Sequence, residues 1–226
     1  MKPFWSLALG FVWLQVASAT PVCSTQSLAG YIALGAGGCT IGADTVASFM
    51  TLTGFATPIN TASITVTPSG GTFNPELTFS VSQAVSGGTV DEAIFNYTIS
   101  GPAYTTDVIN LSGSSETVDG AVTDTQNYCV GGHFGPDGVD GCTGSTSGAL
   151  VAVDGAQQSD NTSFANPHSL NITDDFVLDS GTAGTASGGT FSDQFTAVPE
   201  PGVFLLTGTG LVLAMLRKSQ RVNRKL

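Results

Sequence analysis

Polar and apolar side chains alternate through Ser63-Ile64-Thr65-Val66-Thr67, and again through Leu77-Thr78-Phe79-Ser80-Val81 just beyond Asn74-Pro75. A period of two sends one set of side chains to each face of a pleated strand, so both segments predict half-buried β-strands. A third strand is predicted from Ala93 to Ser100, where Phe95, Tyr97 and Ile99 alternate with Asn96, Thr98 and Ser100 until Gly101-Pro102 ends the run. Shorter β-prone runs follow at Val108 to Leu111, Ala149 to Val153, Leu170 to Ile172, Phe176 to Leu178 and Phe191 to Phe195, separated by Gly, Asp, Asn and Ser at turn positions. Upstream, Ser27 to Leu34 fits a helical turn or a first strand equally well. Gly181 to Thr190 predicts a hairpin turn feeding the Phe191 strand, with Thr196 to Val198 as a linker. No part of the body keeps a 3.6-residue period over three turns, and no fixed-period repeat appears. The pattern therefore predicts an all-β body of roughly eight to ten short strands, an antiparallel β-sandwich rather than a solenoid.

The two ends depart from this pattern. Met1-Lys2-Pro3 leads into an uncharged run from Phe4 to Val16 and then Ala17-Ser18-Ala19. A charged start, a short apolar run and small residues at a cleavage site predict a signal peptide over residues 1–19 and a mature chain beginning at Thr20. At the other end, Val198-Pro199-Glu200-Pro201-Gly202 precedes an uncharged run from Val203 to Leu216 and then the cluster Arg217, Lys218, Arg221, Arg224 and Lys225. As a helix that run covers about 21 Å, short of the roughly 30 Å hydrocarbon core, so a transmembrane span relies on Arg217 and Lys218 snorkelling to the interface. Positive charge keeps this end on the cytoplasmic side and the body outside. Three parts are expected: the signal peptide, an acidic extracellular β domain over 20–198, and a tail over 199–226.

That order of Pro-Glu-Pro motif, Gly-containing apolar helix and terminal basic cluster resembles the PEP-CTERM sorting signal of Gram-negative bacteria. The resemblance implies that exosortase, an integral-membrane cysteine transpeptidase, recognises Pro199, Glu200 and Pro201 and removes the helix as the protein reaches the surface. It further implies that Val203 to Leu216 pauses in the inner membrane and that Arg217 to Lys225 retains it there. Through Tyr31-Ile32-Ala33-Leu34-Gly35-Ala36-Gly37-Gly38-Cys39 the body is similar to other PEP-CTERM proteins, a likeness that implies no activity.

Charge narrows the partners. All 6 Lys and Arg residues lie at the ends, while the body carries every one of the 17 acidic residues except Glu200. A surface with no cation cannot displace counterions from phosphates, which excludes nucleic acid as a partner. Anionic polysaccharide or lipid would need a bridging divalent cation. The fold itself must rest on apolar burial, backbone hydrogen bonds and cross-links. The 4 cysteines, Cys23, Cys39, Cys129 and Cys142, suit an oxidising compartment. Of the three pairings, Cys23 with Cys39 and Cys129 with Cys142 are favoured, because each closes a short Gly-rich loop at small entropic cost.

Candidate chemistry in the body is sparse. His133 and His168 match no catalytic motif and are expected in loops. Asp174 and Asp175 offer an acidic pair for a hydrolase, but neighbours on a strand face opposite ways, so turn or surface positions are expected. Asp137-Gly138-Val139-Asp140-Gly141, inside the Cys129 to Cys142 segment, is the best calcium candidate, with Asp137 and Asp140 as ligands. It lacks the spacing of an EF-hand loop, and Asp-Gly is equally a plain turn. No other cofactor is expected. Four Asn-x-Ser/Thr triplets, at Asn96, Asn110, Asn161 and Asn171, match chance in so Ser- and Thr-rich a body. The leading functional expectation is a non-enzymatic surface or extracellular-matrix protein, associated through its tail with exopolysaccharide export. The alternatives are a carbohydrate-binding module presenting Tyr97, Tyr104 and Tyr128, and an acidic-dyad hydrolase.

Overall fold

The computed structural model describes residues 19–199. The signal segment, the apolar run at 203–216, the basic cluster and the motif residues Glu200 and Pro201 lie outside the described residues; Pro199 is the last within them. Among the described residues no helix is long and apolar enough to cross a membrane.

The chain runs through β1 (Gln26–Ser27), α1 (Leu28–Ala33), β2 (Cys39–Ile41), β3 (Asp44–Thr51), β4 (Thr57–Pro58), β5 (Ile64–Ser69), β6 (Glu76–Val81) and β7 (Ala84–Ser86). It continues through β8 (Val90–Ser100), β9 (Ala103–Ser112), β10 (Ser115–Thr117), β11 (Ala121–Val130), β12 (Thr146–Val153), β13 (Ser159–Ser163), β14 (Ser169–Asp179), β15 (Thr185–Ser187) and β16 (Thr190–Val198). Strands β12-β11-β14-β8-β3-β2 form one sheet, which β4 extends by pairing parallel to β8; β1-β5-β6-β16-β9-β13 form a second. Strands β10-β15-β7 make a small third sheet. Apart from the β4 contact, the strands pair antiparallel, and the body is all-β and sandwich-like as the alternation predicts.

The inner faces of the two large sheets share one core. Ile64 and Val66 of β5, Leu77 and Phe79 of β6, and Phe95, Tyr97 and Ile99 of β8 are all buried in it, each at an alternate position along its strand. Phe191 of β16 bridges the sheets, stacked on Phe79 at a centroid distance of 4.8 Å and on Phe176 of β14 at 4.9 Å. Phe49 stacks on Tyr97 at 4.9 Å and meets Tyr31 of α1 edge-on at 5.1 Å. Stacks of this kind contribute about 0.5–1.5 kcal/mol each beyond their burial. The Ser27 to Leu34 segment divides between both expectations. Ser27 ends β1, and its Oγ accepts a hydrogen bond from Gly30 N at 3.2 Å to cap α1, which buries Leu28 and Tyr31.

Where the structure departs from the pattern, the cause is a polar residue facing inward. Leu170 to Ile172 and Phe176 to Leu178 are one strand, β14, because Thr173 and Asp174 between them are buried rather than turned to water. The run at Val108 to Leu111 likewise belongs to a longer β9 that contains buried Asp107. Strand β11 has no legible alternation, since its inward series is Val122, Asp124, Gln126. Thr196 to Val198, expected as linker, completes β16 and pairs with β9 across a bulge at Thr196/Ala197.

Both favoured disulfides are present, Cys23–Cys39 and Cys129–Cys142. The second anchors a loop whose Phe134 N donates to Asn171 Oδ1 at 3.0 Å on the outer face of the first sheet. Asn171 Nδ2 in turn donates to Asn96 Oδ1 at 2.8 Å and to Tyr97 O at 2.9 Å, while Asn96 Nδ2 donates to Thr173 Oγ1 at 2.7 Å. Two of the four Asn-x-Ser/Thr sites are therefore structural amides, closed to a glycan.

Candidate functional site

Near the ends of β11 and β13 a groove of about 470 Å³ opens between Tyr128 and Val130 of β11, Ser145 and Thr146 at the start of β12, and the Ser163 to His168 connection into β14. Tyr128 and Phe164 meet edge to face, with ring centroids 5.3 Å apart and planes at 80°. Tyr128 stands directly across from Gly148 of β12 in the pairing register. A Cβ at Gly148 would come within 2.3 Å of Tyr128 Oη, so the missing side chain is what lets the ring lie over the neighbouring strand.

Backbone bonds fix the opposite wall. Phe164 N donates to Thr105 O at 2.8 Å, Tyr104 N to Pro167 O at 2.8 Å and Gly101 N to His168 O at 3.0 Å. Asn166 turns this connection through a left-handed conformation, φ 56°, which asparagine tolerates better than most residues. His168 Nδ1 lies 3.1 Å from Gly101 O. A carbonyl only accepts, so Nδ1 carries the proton, and in neutral imidazole Nε2 is left as an acceptor. Among the described residues no carboxylate lines the groove. On a body as acidic as this one, the groove is an uncharged patch of aromatic faces and hydroxyls.

A second concentration of chemistry lies between the sheets. Asp107 of β9 and Asp193 of β16 enter from one sheet, and Asp124 of β11 and Asp174 of β14 from the other; all four are 0% exposed. Tyr97 Oη donates to Asp193 Oδ2 at 2.5 Å. Burial pushes Asp107, Asp124 and Asp174 well above the usual carboxylate range, and the Asp193 charge adds to the effect. Asp193 is pushed up to about 6 by burial, a rise that the hydrogen bond from Tyr97 limits. On the outer face, burial and the neighbouring Glu92 push Asp175 up to about 6, and Glu92 Oε2 accepts from Ala56 N at 3.2 Å. Burial likewise raises Asp44 to about 6, against a hydrogen bond from Tyr104 Oη at 2.6 Å.

These positions correct several expectations. Asp174 and Asp175 are not in a turn: they sit mid-strand in β14, Asp174 buried between the sheets and Asp175 half-buried on the outer face, so they do not converge on one bond. Tyr97 and Tyr104 present nothing to a ligand. Both are fully buried, because each lies on an inward strand position with its hydroxyl committed to an aspartate. Of the three tyrosines expected to meet a sugar, Tyr128 alone lines the groove. His168 is an exposed loop histidine as expected, yet it joins Phe164 there, and no motif in the sequence marks either residue. Asp137 Oδ1 accepts from Val139 N at 3.2 Å and Asp140 N at 3.1 Å, closing a turn, and Asp140 O accepts from Gly135 N at 2.8 Å. Among the described residues no group of three or more His, Cys, Asp or Glu side chains is placed to hold a metal ion.

Fold and groove together define a disulfide-braced antiparallel β-sandwich carrying a neutral aromatic cleft. No known family model matches the chain, and no curated protein matches it. Among solved structures, a glycosylation-associated protein (Gap123) complex from Streptococcus agalactiae is similar at 12% identity and a TM-score of 0.31, over 71% of this chain and 27% of that one. This chain thus spans about a quarter of that protein's length. TmCBM61 in complex with β-1,4-galactotriose aligns at 11% identity and a TM-score of 0.24, over 54% of this chain and 68% of that one. The enzymatically active domain of tailspike protein 4 from bacteriophage CBA120 aligns at 15% identity and a TM-score of 0.18, over 68% of this chain and 19% of that one. Likenesses this distant leave the function to the site.

Proposed function

We propose that this protein is an exported, non-enzymatic surface or matrix protein that holds a neutral saccharide in the Tyr128–Phe164–His168 groove. The observation that carries the reading is the uncharged, aromatic-lined groove on a body that otherwise offers only negative charge. The apolar face of a pyranose stacks on a half-buried aromatic such as Tyr128 or Phe164, and its hydroxyls exchange hydrogen bonds with Ser145, Thr146, Ser163 and His168 Nε2. A neutral glycan also avoids the repulsion that this body exerts on polyanions. The two disulfides fit an oxidising, extracytoplasmic compartment. In this reading the tail directs sorting: Pro199, Glu200 and Pro201 are the exosortase recognition motif, 203–216 the inner-membrane stop and Arg217 to Lys225 the retention cluster.

A glycan array followed by calorimetry tests the groove. Binding to a neutral glycan is expected, and Tyr128→Ala should weaken it about 10-fold or more, the equivalent of one lost stacking contact. Binding that survives both Tyr128→Ala and Phe164→Ala, or no binding to any neutral glycan, defeats the saccharide assignment. For the tail, replacing Pro199, Glu200 and Pro201 by alanine in an exosortase-containing host should leave a longer, membrane-retained form on an immunoblot. Unchanged processing would sink the sorting assignment.

A further inference from the structure

The inter-sheet carboxyl cluster serves neither the groove nor the tail, and it cannot exist as four charges. Residues 19–199 contain no Lys or Arg, and His133 and His168 are both exposed. The groups facing the cluster are Asp107 from β9, Asp193 from β16, Asp124 and Gln126 from β11, Asp174 from β14 and Tyr97 from β8. Glu76 of β6 adds negative field at Asp193, and outward-facing Asp175, itself beside Glu92, adds it at Asp124. No cationic side chain faces it from any described element.

The hydrogen-bond account fails in the same direction. Both oxygens of Asp107, Asp124 and Asp174, and Oδ1 of Asp193, have no donor. Gln126, 0% exposed and paired in register with Asp174, supplies an independent sign, because neither its Nε2 nor its Oε1 has a partner. Buried orphan polar atoms of this kind are costly and are rarely left unmade in a native core. A proton placed on a carboxylate relieves both defects: it removes a charge and turns an acceptor into a donor. An un-ionised Asp174 can donate to Asp193 or to Gln126 Oε1, while the Gln126 amide and Tyr97 hydroxyl donate to the charge that remains.

We propose that the sandwich closes with Asp107, Asp124 and Asp174 as un-ionised carboxylic acids around Asp193, so that protons latch the two sheets in acid and alkali loosens them. The direction follows from linkage. These carboxyls are raised in the folded state above their ordinary value of 3.8, so their contribution is complete below about pH 4. It is lost as the pH rises, beginning with Asp193 at about 6 and continuing above it as the other three are forced to ionise.

Thermal unfolding of the purified, disulfide-bonded full chain between pH 4 and pH 9 tests the latch. The melting temperature should fall by roughly 6 °C or more from pH 5 to pH 8. Asp107→Asn and Asp174→Asn, neutral isosteres of the protonated acid, should each raise the pH 8 value towards the acid one and change the pH 5 value by only about 2 °C. A melting temperature that stays flat or rises from pH 5 to pH 8 overturns the proposal. So does a melting temperature at pH 8 that calcium raises and EDTA lowers in the parent protein but not in the variants, since an ion would then be doing the neutralising. Infrared spectra at pH 7 give a readout independent of the variants' folding: the carbonyl band of un-ionised carboxyl groups should be present in the parent protein, and its absence refutes the latch.

Discussion

Gly148 is the residue whose missing side chain matters most to the groove. Gly148→Val would place a branched side chain where Tyr128 Oη now lies, and saccharide binding should fall about 10-fold or more while the fold tolerates an edge-strand valine. Calorimetry set beside a melting curve separates loss of binding from loss of structure. At Asn171 the opposite holds, because a side chain is present and fully used. Asn171→Ala removes the acceptor of Phe134 N and leaves Asn96 Oδ1 without its donor, at a cost of about 2–4 kcal/mol. Faster amide exchange at Phe134 together with a lowered urea midpoint would confirm it; an unchanged midpoint would mean that water replaces the amide at no cost.

Among the elements, the Cys129–Cys142 loop and strand β14 decide the most. The cross-link spans 13 residues and holds the loop over the outer face of β8 and β14. Replacing both cysteines with serine should cost about 3 kcal/mol on the chain-entropy estimate. Urea denaturation measures this, and a loss well below 1 kcal/mol would show that the Asn171 contacts hold the loop unaided. Strand pairing shows what the pattern could and could not reveal. β5, β6 and β8 were legible because their inward residues are apolar. β11 and the middle of β14 were not, because Asp124, Gln126 and Asp174 place polar side chains on the inward face, where alternation signals solvent instead. The groove residues were illegible for another reason. Phe164 and His168 lie in an irregular connection, and only the backbone bonds to Thr105 and Gly101 bring them beside Tyr128.

For the whole molecule, charge of a single sign governs the response to solution conditions. The described body has acidic side chains and no Lys or Arg, so dissolved salt has no ion pairs to weaken and only repulsion to screen. Raising ionic strength from about 0.01 M to about 0.5 M should therefore raise the melting temperature at neutral pH, as the Debye length shrinks from roughly 30 Å to a few ångströms. A fall on adding salt would point to attractive electrostatics absent from the described residues.

The sequence by itself determined the all-β class and the confinement of cations to the two ends, and favoured the disulfide pairs that the fold holds, because alternation, charge placement and loop closure are local properties of the chain. It could not determine that Asp107, Asp124, Asp174 and Asp193 share one buried space, or that Tyr128 and Phe164 share one groove. Those residues lie on strands far apart in the chain, and their meeting depends on which strands neighbour one another and which faces oppose across the sandwich. Tertiary packing made that choice, and with it turned four ordinary aspartates into a buried cluster and set one ordinary tyrosine in the wall of a groove.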